Sequence, residues 1–158
     1  MTTRDRWVFL SYRLPRDPSA PRLAVWRQLK RLGVAQLLDG LVALPADSRN
    51  REQLEWAAEQ VTESGGEAAI WLAEATTEAQ SREIARSMSA AIGEQYREVE
   101  RDALAATGAP SRERRTTLAR LRRELGRIRR RDYFPPAERG AAHAAVESLA
   151  RAVEELAA

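Results

Sequence analysis

The order of strand and helix signals in the first 76 residues is the feature that most constrains this fold. Residues 7–14 are rich in aromatic and β-branched side chains and predict a first strand, which Pro15 ends. Ser19 then opens a helix whose apolar residues recur at helical spacing until Gly33 closes it. Alternation along the strand places four apolar side chains on one face, namely Val8, Leu10, Tyr12 and Leu14.

A hairpin, a second helix and a fourth strand follow. Residues 35–45 hold two apolar runs around Asp39-Gly40, a dipeptide typical of a type I′ turn. Ser48 opens the second helix, Gly65-Gly66 ends it, and residues 68–72 predict the last strand. Strand, helix, strand, strand, helix, strand is the split βαβ order of ferredoxin-like domains, so we expect both helices to cover one face of the sheet.

The composition changes at Thr77 to helix formers without a strand signal. Breaks at 108–110 and 133–136 divide this part into three amphipathic helices, the second running from Ser111 to Arg131. The sequence therefore predicts an α+β protein: a ferredoxin-like split βαβ sheet domain at 1–76, followed at 77–158 by a three-helix extension that forms an antiparallel helical bundle.

The distribution of charge is more informative than its sum. The net charge of the chain is +3, but residues 111–131 alone carry ten arginines and two glutamates, a local excess of +8. In a helix, Leu118, Leu121 and Leu125 share one arc with Ile128. Most of the arginines that we interpret as DNA contacts lie on the opposite side: Arg112, Arg120, Arg123, Arg127, Arg130 and Arg131.

Besides DNA binding, two other interpretations of this arginine face stay open: a solvated, ion-paired face and a docking surface for an acidic protein. A row of guanidinium groups can contact successive phosphates, which gives salt-dependent and largely sequence-independent binding. The same row can instead be a solvated face paired with acidic groups of neighbouring helices, or it can dock an acidic protein. The acidic residues that we consider for such pairs are Glu94, Glu98, Glu147 and Glu154.

The first helix offers a second basic cluster. Arg27, Lys30 and Arg31 project together, and we add them to the predicted DNA contacts. Arg22 falls on the apolar arc near the helix N-terminus, where a guanidinium and free N–H groups can bind an oxyanion such as chromate or sulfate. The alternative is a structural ion pair with an acidic residue, the candidates being Asp17, Asp39 and Glu67.

The remaining residues predict no catalysis. With no cysteine and a single histidine, His143, thiolate and histidine-cluster metal sites are excluded, so we predict no cofactor and no metal. We find no catalytic triad, carboxylate pair or phosphate-binding loop and predict no catalytic residue. The short apolar stretch near the N-terminus predicts no signal peptide or membrane span, which indicates a cytoplasmic protein. Core packing is predicted for all four tryptophans, Trp7, Trp26, Trp56 and Trp71.

Five short motifs occur in order along the chain. The first is a run with tryptophans, prolines and basic residues between Trp7 and Gly33, and the others are Leu44-Pro45, Glu52-x-x-x-Trp56, Gly65-Gly66-Glu67-Ala68 and Arg131-Asp132-Tyr133-Phe134. In this order they resemble the N-terminal region of the ChrB-type chromate-resistance proteins. The resemblance implies a bacterial regulator that binds DNA near its own operon and responds to chromate.

Full-length members of that family carry a second, C-terminal domain, which the sequence ending at Ala158 does not include. If effector sensing depends on that domain, we expect this chain either to bind DNA without sensing chromate or to serve another operon. Regulators that read two half-sites need two-fold symmetry, so a homodimer is also expected.

Two alternative functions remain. One is a non-enzymatic scaffold or protein-interaction module whose arginine face docks an acidic protein. The other is a nuclease of the Cas2 type, because the sheet domain has a weak similarity to those proteins and to PaaX-type repressors. An acidic residue ends the first strand of such nucleases, whereas Tyr12-Arg13-Leu14 stands here, so metal-dependent cleavage would require Asp17 as a substitute.

Overall fold

The computed structural model describes residues 6–157 and shows an α+β fold with a four-stranded antiparallel sheet. The strand order is β2-β3-β1-β4, which is the ferredoxin-like order that the sequence predicts. The elements in chain order are β1 (Arg6–Arg13), α1 (Ala20–Leu32), β2 (Ala35–Leu38), β3 (Leu41–Pro45), α2 (Ser48–Glu63), β4 (Glu67–Glu74), α3 (Glu78–Ala106), α4 (Ser111–Arg130) and α5 (Glu138–Ala157).

One face of the sheet forms the main core of its unit. Val8 lies opposite Leu44 and Leu10 lies opposite Val42, and all four side chains are fully buried. Helix α2 packs on β1 and β4, and α1 packs beside α2, as expected for a sheet with its helices on one side. Trp7 points to the other face, where its Nε1 donates to the Ser81 Oγ of α3 at 3.0 Å and the side chain is fully buried.

Glycines terminate α1 and shape the hairpin. Gly33 has a left-handed φ of 77°, and its N–H donates to the Leu29 and Lys30 carbonyls in the last turn of α1, so the predicted helix end is confirmed. Gly40 also has a φ of 77°, but the φ of Asp39 is not positive. A type I′ turn needs positive φ at both central residues, so the hairpin is confirmed and its predicted turn type is wrong.

The chain divides into two compact units, one ending at Met88 and one beginning at Ser89, so that α3 contributes to both. In the first unit Ile84 and Met88 of α3 are buried. In the second, the buried faces of α3, α4 and α5 share one hydrophobic core. Its largest fully buried members are Tyr96, Leu121, Ile128 and Leu149.

The tryptophan prediction is correct for only part of the set. Trp7 is fully buried and Trp26 is partly buried, but Trp56 is 53% exposed and Trp71 is 56% exposed. The spacing of Trp56 and Trp71 in the sequence identifies one face of a helix and one face of a strand. No other part of the described chain covers these two side chains fully. Within residues 6–157, no helix is both long enough and apolar enough to cross a membrane.

Candidate nucleic-acid interface

Helix α4 is amphipathic, and this fixes which of its arginines face solvent. Leu118, Leu121, Leu125 and Ile128 are buried at 9% exposure or less, which confirms the apolar arc. The helix has Glu113 in its first turn and three arginines in its last turn. These charges interact favourably with the positive N-terminal end and the negative C-terminal end of the helix dipole. The arc therefore holds α4 on its core while the opposite side stays exposed.

Three arginines form what we call the free row: Arg112, Arg123 and Arg130. All three are exposed, and none of their side chains has a hydrogen-bond or ion-pair partner among the described residues. At 100° per residue they lie within about 20° of one another on the helix, and at about 1.5 Å per residue they span about 27 Å. Their guanidinium groups keep all of their donors for an external anion.

Another three arginines form the paired row: Arg120, Arg127 and Arg131. Arg120 lies 3.2 Å from an Asp102 carboxylate oxygen on α3, and Arg127 lies 3.1 Å from Glu124. Arg131 donates to Gln95 through Nε at 2.8 Å, lies 3.5 Å from Glu124, and has a side chain that is only 16% exposed. These three charges are already partly compensated within the helical unit.

The ion-pair alternative therefore holds for half of the predicted α4 set, but with other partners. None of Glu94, Glu98, Glu147 and Glu154 pairs with an α4 arginine within residues 6–157. Glu94, for example, pairs with Arg97 on its own helix. Asp102 and Glu124 take that role instead.

The C-terminal end of α4 is anchored by a buried carboxylate. The Tyr96 hydroxyl donates to Asp132 Oδ2 at 2.8 Å, and Arg139 Nη1 lies 3.9 Å from the same oxygen. The Asp132 side chain is 1% exposed, and its Oδ1 has no hydrogen-bond partner among the described residues. A buried carboxylate depends strongly on the partners that it has, so loss of Tyr96 or Arg139 would be costly.

The environment of Tyr96 shows in its pKa. The pKa of this hydroxyl is raised to about 12, mainly by burial and then by the hydrogen bond to Asp132 and the charge of Asp132, while Arg139 and Arg129 lower it. Tyr96 therefore stays protonated as a donor throughout the physiological range. The His143 ring lies 6.3 Å from the Tyr96 ring, centroid to centroid, and no role is assigned to it.

Three exposed arginines of α4 lie outside the predicted set of DNA contacts: Arg115, which donates to Ser111 Oγ at 3.4 Å, and Arg122 and Arg129. Arg122 and Arg129 project about 80° and 60° from the centre of the apolar arc, which placed them at its border. Both are exposed, because a long arginine side chain reaches water from the edge of a buried face. Side-chain length is the signal that would have included them.

The basic cluster of α1 is exposed as expected. Arg27, Lys30 and Arg31 face solvent, and no hydrogen bond or ion pair engages their side chains in the part of the chain that the structure describes. Lys30 and Arg31 lie in the last turn of α1, where positive charge is favoured by the helix dipole. This cluster belongs to the sheet unit, whereas the free row belongs to the helical unit.

Arg22 does not lie where the helical arc predicts. It is exposed rather than inward-facing, and it lines an open surface cavity of about 580 Å³ with Tyr12, Ser19 and Asp39 among other residues. None of the predicted ion pairs with Arg22 forms within residues 6–157, and Glu67 instead pairs with Arg13 at 2.7 Å. Burial raises the pKa of Tyr12, while the charge of Arg22 lowers it and that of Asp39 raises it. Arg22 lies in the first turn of α1, where its side chain remains exposed.

The comparisons with known proteins give one family. The model of the family described as "Protein ChrB, N-terminal" matches residues 22–158, which include the whole of α4 and nearly all of α1. No curated protein matches the chain.

Proposed function

The chain belongs to the ChrB N-terminal family, whose members are connected with the regulation of chromate resistance, and we propose that it is a DNA-binding transcriptional regulator in that system. In this proposal it is not an enzyme. It recognises the phosphate backbone of duplex DNA through arginines and controls transcription by occupying a site upstream of its own operon.

The observation that carries this proposal is the free row. Three exposed guanidinium groups without internal partners lie along about 27 Å of one helix, a length that spans several phosphates of a DNA strand. Because arginine binds phosphate through two parallel N–H donors, such a row suits a polyanion of regular spacing. Phosphate contacts position a protein on DNA, while base specificity needs further contacts to base edges.

The α1 cluster supplies a second set of contacts in the proposal. Arg27, Lys30 and Arg31 lie within about 6 Å along their helix and can address one or two phosphates. Arg22 then remains for the effector. Its open cavity with Tyr12 and Ser19 offers a guanidinium and hydroxyl donors, which are the groups that bind an oxyanion such as chromate.

We also propose that the protein acts as a homodimer. A regulator that reads two half-sites related by two-fold symmetry presents the same surface twice, at a spacing of one or more helical turns of DNA.

The test is binding of the purified chain to its own upstream DNA at physiological salt, with excess competitor duplex and with or without chromate. The proposal predicts a preference for the upstream fragment, and release by chromate would add the effector role to this chain. Specific binding that ignores chromate would keep the DNA role and remove Arg22 as a sensor. The absence of any preference would favour a scaffold that docks an acidic protein.

Incubation of the same DNA with Mg²⁺ or Mn²⁺ tests the proposed absence of catalysis. The regulator leaves the duplex intact. Cleavage that depends on the metal would support the nuclease alternative instead.

A further inference from the structure

The two edges of the sheet differ in how well they are protected against pairing. β2 has four residues, and its pairing with β3 is irregular between Gln36 and Leu38. β4 has eight residues, and all of them pair with β1 in an unbroken register. Short or irregular edges resist the addition of another strand, whereas a long regular edge invites it. The sequence of β4 also contains no proline, glycine or lysine.

The exposed side of β4 is apolar, and the charges at its ends are compensated. Trp71 and Leu72 are 56% and 61% exposed, and the six residues between the terminal glutamates are all uncharged. Glu67 pairs with Arg13 at 2.7 Å and Glu74 pairs with Arg6 at 3.1 Å, both across the β1–β4 ladder. An incoming strand therefore meets an apolar edge whose two terminal charges are already neutralised.

The hydrogen-bond phase of β1 shows which β4 groups point outward. The Tyr12 N–H donates to the Gly40 carbonyl, and the Ala46 N–H donates to the Arg6 carbonyl, so even-numbered residues of β1 bond toward β3. Odd-numbered residues of β1 then bond toward β4, since successive residues alternate in an antiparallel ladder. The β4 residues opposite them use their backbone N–H and C=O groups to bond with β1. The backbone N–H and C=O groups of the other four residues of β4 point away from the sheet: Ala68, Ile70, Leu72 and Glu74.

We propose that β4 pairs in antiparallel fashion with β4 of a second copy of this chain, which joins the two sheets into one eight-stranded sheet. In such a dimer a residue whose backbone groups point outward must lie opposite another such residue. All of these residues are even-numbered, so the residue numbers of any opposed pair must add to an even number. The register centred on Trp71 meets this condition. It sets Ile70 opposite Leu72 of the second copy and Ala68 opposite Glu74, with two hydrogen bonds exchanged by each opposed pair.

The hydrogen-bond phase of β4 also excludes the register in which glutamates of the two copies would face each other. Glu67 opposite Glu74 has an odd sum, so the like charges at the two ends cannot face each other while the backbone groups pair. Trp71 meets its own copy at the two-fold axis as a non-hydrogen-bonded pair, where the Cα atoms approach most closely. Its indole Nε1 donates to Ser11 Oγ on β1 at 2.9 Å. The edge is thus complementary to itself in hydrogen bonding and in apolar character, and its terminal glutamates do not oppose each other, as an isologous interface needs.

This inference specifies the surface of the proposed homodimer and does not depend on DNA binding, so it is tested without DNA. Sedimentation equilibrium of the full chain should show a dimer. Leu72→Pro removes one outward N–H and leaves the bonds to β1 in place, as proline allows on a strand edge. We expect at least a tenfold weaker dimer for this variant, with an unchanged circular dichroism spectrum.

A matched pair of variants separates the edge from general loss of apolar surface. Leu72→Lys should weaken the dimer about as much, whereas Leu38→Lys removes a leucine of similar exposure, 67%, from the β2 edge and should have no effect. A wild-type chain that stays monomeric at every concentration would overturn the proposal. A dimer that survives both Leu72 variants would also overturn it.

The register has its own test, because the chain contains no cysteine. Trp71→Cys places two thiols opposite each other at the axis, within the Cα separation that a disulfide tolerates, so mild oxidation should cross-link the dimer. Ala73→Cys serves as the control, since residue 73 opposes residue 69 of the second copy. Cross-linking of Ala73→Cys at the rate of Trp71→Cys would contradict the register.

Discussion

The free row and the paired row carry the same residue type along α4 and its C-cap residue Arg131, and they differ in their neighbours. The side chains of Arg112, Arg123 and Arg130 face solvent and have no hydrogen-bond or ion-pair partner in the described part of the chain. Arg120 meets Asp102, and Arg131 meets Gln95 and Glu124. A partner inside the protein must be given up, or shared, before an arginine can bind a phosphate. The number of arginines therefore overstates how much of the charge is available for DNA.

The largest effect is expected from the free row. Replacement of Arg112, Arg123 and Arg130 together by alanine removes three phosphate contacts, each contributing about 1 kcal/mol. We predict that affinity for upstream DNA falls about 100-fold at physiological salt, measured by fluorescence anisotropy. These exposed residues have no internal partners, so the melting temperature should stay within a few degrees of the wild-type value.

The triple replacement of Arg120, Arg127 and Arg131 removes the same formal charge and is the control for that experiment. An equal loss of affinity in both triple variants would mean that pairing does not limit availability. The distinction between the two rows would then have no functional meaning.

The next effect concerns the anchor of α4. Tyr96→Phe leaves Asp132 without its 2.8 Å donor in a buried site, which we expect to lower the free energy of unfolding by about 2 kcal/mol. Urea denaturation followed by circular dichroism measures this change. A variant as stable as the wild type would indicate that the hydrogen bond makes no net contribution.

The same hydroxyl gives a pH prediction with a definite sign. The pKa of Tyr96 is raised from 10.0 to about 12 in the folded protein, so the folded state holds its proton where the unfolded state has lost it. Its contribution to stability is complete below pH 10 and is lost as the pH rises toward 12. Stability measured across this window should fall more steeply for the wild type than for Tyr96→Phe, and parallel curves would contradict the assignment.

A smaller effect is expected from the α1 cluster. Arg27, Lys30 and Arg31 are as free as the free row, but they lie within about 6 Å along the helix and can reach fewer phosphates. Replacing all three by alanine should weaken DNA binding about tenfold in the same anisotropy assay. A loss as large as that of the free row would make α1 the principal contact.

The smallest effect is expected from one member of the paired row. Arg120→Ala breaks an exposed ion pair with Asp102, and such pairs contribute about 0–1 kcal/mol to stability. We predict less than a threefold change in DNA affinity and an unfolding free energy within about 0.5 kcal/mol of the wild-type value. A large loss of affinity would show that Arg120 exchanges Asp102 for DNA at little cost.

The sequence predicts the fold better than it predicts the site, because the two depend on different ranges of interaction. Gly33, the break at Pro110 and the apolar arc around Leu121 act within a few residues, and the strand order follows from their succession. The exposure of Trp71 and the side on which Arg22 lies depend on what else covers those positions. A periodic pattern contains no information about that cover.

The pairing of Arg120 with Asp102 shows the same limit. The two residues are 18 positions apart on different helices, and only the packing of α3 against α4 brings them within 3.2 Å. From the sequence we consider Glu94 and Glu98 of α3 as partners, and Asp102 of the same helix is not among them. Which acidic residue neutralises which arginine is decided by helix register and not by composition.

The salt dependence of DNA binding tests the central claim most directly. With affinity measured over a series of salt concentrations, each phosphate contact contributes about 0.9 to the slope of log Kobs against log salt. We predict that loss of Arg112, Arg123 and Arg130 makes the slope shallower by about 3, while loss of Arg120, Arg127 and Arg131 changes it by less than about 1. Equal slopes for the wild type and both triple variants would contradict the assignment of α4 as the DNA-binding helix.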